Sequence, residues 1–308
     1  MKIAFTTELP REGFRRLGGH TLYAPFEEAD ILVSTFDAKV SGELIAAMPN
    51  LKLIANFGAG YNNIDLEACK MREIRVTNTP QPVIEPTAEL AFALMIDIAR
   101  RVSEFDRKVR AGQAVFGVMN NLSHSLYGKT LGILGMGRIG QALARRAKAS
   151  GMQIIYHNRH KINDDALKAL NGGNDEMVKY VDFQTLLQDS DYLSLNLPYT
   201  QEVHHIIGKP ELGMMKRSAY LINTARGAHV DEAALVEALK SGIIAGAALD
   251  VYEHEPAVSS ELLTLPNVVL SPHTGTGTWE GRIAMCENVT DNIISFIDGR
   301  LNDMDIVI

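Results

Sequence analysis

The sequence predicts an α/β protein made of two doubly wound parallel-sheet domains with an interdomain cleft. Three observations carry this expectation. Short apolar runs alternate with helical patterns from the first residues, a long helical stretch interrupts that alternation, and a second, longer alternation follows. The first series is KIAF, DILVST, LKLIANF and IRVTNT, with SGELIAAM and NIDLEACKMR between the runs. The long stretch runs from Pro86 to about Gly112, with proline in its first turn and Thr87 and Glu89 close behind, and reads as one helix connecting the domains. Within it Leu94, Met95, Ile96 and Ile98 read as core. The second series is KTLGILG, QIIYHN, VKYVD, YLSLNL, AYLINT, AGAALDV and NVVLSP. After Pro272, the apolar residues Ile283, Met285, Val289, Ile293, Ile294 and Ile297 recur at helical spacing. Such a helix can return to the first domain, so the expected domains are 1–100 plus 281–308, and 101–280.

Composition narrows the function classes. With 308 residues, 46% hydrophobic and 22% charged, the chain has material for two buried cores. The opening MKIAFTTELP is apolar only briefly before Thr6, Thr7, Glu8 and Pro10, which reads as a strand rather than a signal peptide or membrane span. The two cysteines, Cys69 and Cys286, lie far apart inside helical patterns, which argues against a disulfide framework and for a reducing cytoplasm. A net charge of -7 offers no general attraction to nucleic acid or to an anionic membrane. Anionic ligands must then be held by single arginines and backbone amides.

The sharpest local motif is Gly135-Met136-Gly137-Arg138-Ile139-Gly140, set between the strand TLGIL and the helical run IGQALARRAKAS. In that setting the first glycine permits a tight turn, the second lets backbone approach a pyrophosphate, and the third allows close strand-helix packing. Arg138 and Ile139 open a helix whose free N–H groups and positive dipole end suit an anion. The pattern predicts a Rossmann-like, dinucleotide-binding second domain. The usual partner of this motif is an acid at the end of the next strand. Here QIIYHNRH offers Asn158 and Arg159 instead, which removes the repulsion of a ribose 2′-phosphate and supplies a guanidinium to hold it. NADP, or use of both NADP and NAD, is therefore expected. His157 and His160 read as neighbouring surface residues.

Reducing a 2-oxo acid demands a cation for the carboxylate and carbonyl, a proton donor for the developing alkoxide, and a hydride donor over the carbonyl carbon. The second domain carries candidates at strand ends, where ligands of doubly wound sheets bind. Arg226 follows AYLINT, Asp250 and Glu255 lie in LDVYEHEP, and His273 follows NVVLSP. A carboxylate beside imidazole favours its protonated form, so an acid placed next to His273 would equip it as a proton donor. In the first domain Gly58, Ala59 and Gly60 follow a strand and expose backbone N–H groups able to hold a carboxylate. His204 and His205 are adjacent, so on a regular element they point apart, and no metal is expected.

Taken in order, FGAGYNNID at 57–65, TAELAFAL at 87–94, LGILGMGRIGQALA, NTARG, LDVYEHEP and SPH at 271–273 resemble the D-isomer-specific 2-hydroxyacid dehydrogenase family over nearly the whole chain. The resemblance implies that Arg226 binds substrate, His273 is the acid/base, Glu255 is its partner, and Asp250 contacts the nicotinamide. It implies further cofactor contacts from Thr87, Pro198 and Thr224, and assigns the substrate carboxylate to Ala59 and Gly60. Substrates of the glyoxylate, hydroxypyruvate or pyruvate kind and a D-2-hydroxy acid product are then expected. Asn62 departs from the acid many relatives carry, and Tyr61, Val83 and Tyr199 are candidate pocket walls, with Trp279 either a cap or a packing residue. Relatives are usually homodimers, for which the face around Leu143 and the 113–127 segment offer apolar surface. The rival from another class is a non-enzymatic, corepressor-type dinucleotide-binding regulator, which the joint presence of Arg226, Glu255 and His273 disfavours. Formate oxidation is disfavoured because relatives with that activity pair the histidine with glutamine.

Overall fold

Runs such as ILVST and LIANF are mostly apolar and buried at every position, the pattern of strands covered on both faces by other elements. They become the strands of two separate parallel sheets in the computed structural model, which describes residues 1–172 and 177–308. The chain divides into two units, Met1–Pro86 with Thr276–Ile308, and Thr87–Gly275. These boundaries fall earlier in the chain than 100/101 and 280/281.

In the first unit β1 (Lys2–Phe5), β2 (Thr21–Leu22), β3 (Ile31–Thr35), β4 (Leu53–Phe57) and β5 (Arg75–Thr77) stand in the order β2-β1-β3-β4-β5. The strand β2 has only two residues, and its sequence carries no strand pattern. Helices α1 (Gly42–Ala46) and α2 (Leu66–Met71) begin at side-chain caps, where Ser41 and Asp65 accept N–H bonds from Leu44 and Ala68. Leu32, Ile54, Val76, Met48 and Cys69 are fully buried between sheet and helices.

The helix expected from Pro86 to Gly112 is instead α3 (Ile84–Arg100) and α4 (Val102–Arg110). Arg101 between them is left-handed, with φ 58°. The carboxylate of Asp97 accepts the N–H of Ser103 at 2.7 Å and its hydroxyl as well, which starts α4 with a local cap. Arg101 holds the break by donating to both oxygens of Glu104, at 2.6 and 2.7 Å, and to the carbonyl of Leu122 at 3.0 Å.

The second unit continues with β6 (Thr130–Leu134), α5 (Arg138–Ala149), β7 (Gln153–His157), α6 (Asp164–Asn171), β8 (Val178–Tyr180), α7 (Phe183–Asp189) and β9 (Tyr192–Leu195). It closes with α8 (Lys209–Met214), β10 (Tyr220–Asn223), α9 (Glu232–Ser241), β11 (Gly246–Leu249) and β12 (Val268–Leu270). Each strand run of the second series has formed its strand, and all are parallel in the order β12-β11-β10-β9-β6-β7-β8. Strand order reverses between β6 and β9, the topological switch point at which doubly wound sheets bind ligands. Leu193, Leu195, Leu221, Leu235 and Leu249 form the centre of one core face. Leu143 is also buried, at 1% exposure, because the apolar face of α5 packs inward; it offers no surface to a partner copy. Exposed apolar side chains cluster instead in the 113–127 segment, at Val115, Phe116, Val118, Met119, Leu122 and Tyr127.

Helix α10 (Trp279–Ile297) belongs to the first unit and packs on β4 and on the 3-10 segment Arg11–Leu17. The approach is close enough that a Cβ on Gly13 would fall 2.2 Å from that of Cys286. Thr290 Oγ1 donates to the Gly13 carbonyl at 2.8 Å across this contact. Both cysteines are free and buried. Among the described residues no helix is long and apolar enough to cross a membrane.

Candidate active site

The glycines of the Gly135–Gly140 motif meet three different local demands. Gly135 has φ 99°, and a Cβ there would lie 2.7–2.8 Å from the backbone of Asn196 and Leu197, so neither the conformation nor the space admits a side chain. A Cβ on Gly137, the N-cap residue just before α5, would meet nothing within 4 Å, which leaves open ground beside the first N–H groups of the helix. On Gly140 a Cβ would fall 2.4 Å from the Gly135 carbonyl oxygen and 3.1 Å from Ile133, so the helix sits directly on its strand. An uncapped helix start with room before it fits the pyrophosphate of a dinucleotide.

At the end of β7, Asn158 Oδ1 accepts the N–H of Met136 at 2.6 Å, bracing the glycine turn and leaving its Nδ2 available to a ligand. Arg159 and His160 are exposed. His157 is packed rather than free, with Nδ1 on the Val181 carbonyl at 2.9 Å and its ring against Tyr180 and Phe183.

The catalytic candidates follow three adjacent strands of the same sheet. His273 comes after β12 in a left-handed conformation, φ 55°, fixed by its N–H on the Asp250 carbonyl at 2.8 Å. Its Nδ1 lies 2.7 Å from Glu255 Oε2, while Glu255 Oε1 accepts the Tyr252 N–H at 2.9 Å. With both carboxylate oxygens engaged, the pair directs Nε2 away from Glu255. Burial pushes the Glu255 carboxyl up, but the His273 bond, the Tyr252 N–H and the charges of His273 and Arg226 outweigh it and hold it below the usual carboxylate range.

Arg226 follows β10, and burial works against its charge while Glu255 supports it. The turn that carries it is tied by Asn223, whose Nδ2 donates to the Arg226 carbonyl at 2.9 Å and whose Oδ1 accepts the Ala225 N–H at 3.0 Å. Asp250, after β11, is 1% exposed and accepts the N–H groups of Thr274 and Gly275, both at 2.8 Å. Thr87 stands beside it across Gly275, and the hydroxyl of Thr224 is buried without a partner among the described residues. Pro198 follows β9. In the first unit the N–H groups of Ala59 and Gly60 have no acceptor among the described residues. Val83 is buried, Tyr61 is partly exposed and Trp279 is 78% exposed.

Two groups escape motif reading. His229 ends the turn after Arg226 fully buried, with neither ring nitrogen in a hydrogen bond of ordinary geometry among the described residues. Burial pushes it down to about 4, assisted by Arg226 and opposed by the nearby Pro198 carbonyl. His204 and His205 do not point apart, because His205 is left-handed at φ 51° and the rings stack 4.0 Å apart. With Glu253 they bring ligand-type atoms within 4.8 Å of one another, and the His205 Nε2–Glu253 contact of 2.6 Å satisfies two of them directly.

Comparison with known proteins gives the family. A family model described as the NAD binding domain of D-isomer specific 2-hydroxyacid dehydrogenases matches residues 92–275. The glyoxylate reductase of Thermococcus litoralis is 48% identical over 279 residues, 89% of this chain and 82% of that one. A solved NADPH-dependent glyoxylate/hydroxypyruvate reductase of Sinorhizobium meliloti, in complex with NADP and malonate, superposes with TM-score 0.84 at 31% identity over 96% of this chain and 93% of that one. The D-lactate dehydrogenase of Aquifex aeolicus, complexed with NAD and lactic acid, gives TM-score 0.86 at 29% identity over 99% of both chains.

Proposed function

The chain belongs to the D-isomer-specific 2-hydroxyacid dehydrogenase family and is an NAD(P)-dependent oxidoreductase acting on 2-oxo and 2-hydroxy acids, and we propose that His273, Glu255 and Arg226 carry that reaction on a small substrate of the glyoxylate, hydroxypyruvate or pyruvate kind. The observation that carries the assignment is the 2.7 Å bond from His273 Nδ1 to a carboxylate whose other oxygen is already fixed.

When bound, the reduced nicotinamide supplies the hydride. The chain's own residues do the rest. Glu255 stays ionised and holds the imidazole by Nδ1, so Nε2 is the atom that gives a proton to the substrate oxygen in reduction and takes it back in oxidation. Arg226 neutralises the substrate carboxylate and the charge that grows on the oxygen. The backbone amides of Ala59 and Gly60 take the carboxylate. Asp250, its oxygens anchored by two amides, orients the nicotinamide together with Thr87 and Thr224, and Pro198 lines the same cofactor.

Gly135, Gly137, Arg138, Ile139 and Gly140 hold the pyrophosphate, and Asn158 with the exposed Arg159 favours NADP over NAD. The first unit is the substrate domain and the second the cofactor domain. The apolar side chains of the 113–127 segment mark a homodimer contact, and a monomer at micromolar concentration in sedimentation would refute it. Two buried free thiols suit a reducing cytoplasm.

The test is oxidation of NADH and NADPH against a panel of small 2-oxo acids by the parent, His273→Ala and Arg226→Ala. Each variant is expected to lose at least about a hundredfold in kcat/KM. Parental turnover by both would refute these roles.

A further inference from the structure

We infer that Asn56 is a positioning residue that presets the backbone of Gly58–Gly60 for the substrate carboxylate, with Asn78 completing the clamp. The inference rests on the proposed role of that loop and adds the device that makes it competent.

Asn56 is the fourth residue of β4 and 1% exposed, so its carboxamide must find its partners inside the protein. It finds all of them. Nδ2 donates to the carbonyls of Gly58 at 3.0 Å and Gly60 at 2.9 Å, and Oδ1 accepts from Ser34 Oγ at 3.1 Å. The reverse orientation would set an oxygen against two carbonyl oxygens, so only one amide orientation is stable. Between those carbonyls, that of Ala59 accepts from Asn78 Nδ2 at 2.8 Å. The Gly58 carbonyl also accepts the Thr79 N–H at 3.0 Å. Asn78 is itself anchored: its N–H donates to the Asp305 carbonyl at 3.1 Å, and its carbonyl accepts from the buried Asn292 at 3.2 Å.

Every carbonyl of the loop is thus drawn toward an asparagine. In a trans peptide the following N–H points opposite to the carbonyl. Pulling in the Gly58 and Ala59 carbonyls therefore turns the N–H groups of Ala59 and Gly60 outward, in succession, as a concavity for an oxyanion. A free Gly-Ala-Gly segment would sample many conformations and lose that freedom on each binding event. The clamp settles that cost during folding, and affinity for the carboxylate should depend on it.

The experiment compares Asn56→Asp, Asn78→Ala and Ser34→Ala by steady-state reduction of glyoxylate at saturating NADPH. Inhibition by oxalate and NADPH affinity by fluorescence are measured in parallel. Asn56→Asp keeps shape but turns an acceptor toward two carbonyls. Its KM and the oxalate inhibition constant should rise together by about tenfold or more, kcat should fall less, and NADPH affinity should hold. Asn78→Ala should move the same constants by a smaller factor, and Ser34→Ala, which only removes the donor to Asn56 Oδ1, by about threefold. Unchanged KM and inhibition in folded Asn56→Asp and Asn78→Ala overturns the inference, as does a fall in NADPH affinity that matches the rise in KM. If Asn56→Asp does not fold, the other two variants decide. Parental activity in His273→Ala would instead overturn the catalytic reading, a result distinguishable from either.

Discussion

Two glycine-bearing loops follow strand ends in this protein, and they are shaped by opposite means. The Gly135–Gly140 turn is fitted by exclusion: backbone from Asn196 and Leu197, and the turn's own Gly135 carbonyl, occupy the space a side chain would need. The Gly58–Gly60 loop is held by attraction, through the carboxamides of buried Asn56 and partly buried Asn78, bonded to each of its carbonyls. The buried polar groups beside the Gly58–Gly60 loop and the Arg226 turn differ too. Asn56 has every polar atom satisfied, whereas His229 is buried with its ring nitrogens unbonded among the described residues. A loop formed by exclusion announces itself in sequence through its glycines, while one held by distant amides does not.

The contrast breaks most visibly at Gly140. A Val there places Cβ against the Gly135 carbonyl, so Gly140→Val should weaken NADPH binding by at least about a hundredfold and destabilise the fold by about 1–3 kcal/mol. Fluorescence titration and thermal melting read the two effects, and parental NADPH affinity would show that the close fit does not shape the turn. His229 comes next. Its folded value near 4 lies below that of an exposed histidine, so as pH falls through about 6.5 the unfolded chain takes a proton that the fold refuses. Stability should therefore drain between pH 6.5 and 4 by up to about 3 kcal/mol, and His229→Gln should flatten that part of the curve. Identical pH dependence in the two proteins would mean that the ring finds a partner after all.

The smallest effect concerns Asn158. An aspartate there can still accept the Met136 N–H, so Asn158→Asp should fold normally and shift the NADH to NADPH preference by about tenfold toward NADH, through repulsion of the 2′-phosphate. An unchanged ratio of kcat/KM values would remove the argument for NADP.

Much of this arrangement was legible before any coordinates. Strands β6, β9, β10 and β11 are nearly continuous apolar runs, and the pattern finds them because burial on both faces leaves no alternative. Gly135, Gly140, Arg226, Asp250, Glu255 and His273 were legible as positions because they sit next to such runs. The break at Arg101 was not, since no glycine or proline marks it and the cap comes from Asp97, six residues before Ser103. Nor was the stacking of His204 on His205, which depends on a left-handed residue outside any regular element. The inward face of Leu143 depends on which side of α5 meets the sheet, and Asn56 depends on Ser34 from the neighbouring strand. What sequence conceals here is pairing between elements.

The left-handed backbone of His273 has an evolutionary consequence. A residue with a Cβ sits there at a cost of about 1 kcal/mol relative to glycine, held by the bonds to Asp250 on either side. Replacing that histidine by glycine would relax the strain and, on its proposed catalytic role, silence the enzyme in one step. A lineage screened only for resistance to heat would drift toward a sturdier, inert protein, so the imidazole persists at this corner only while turnover itself is under selection.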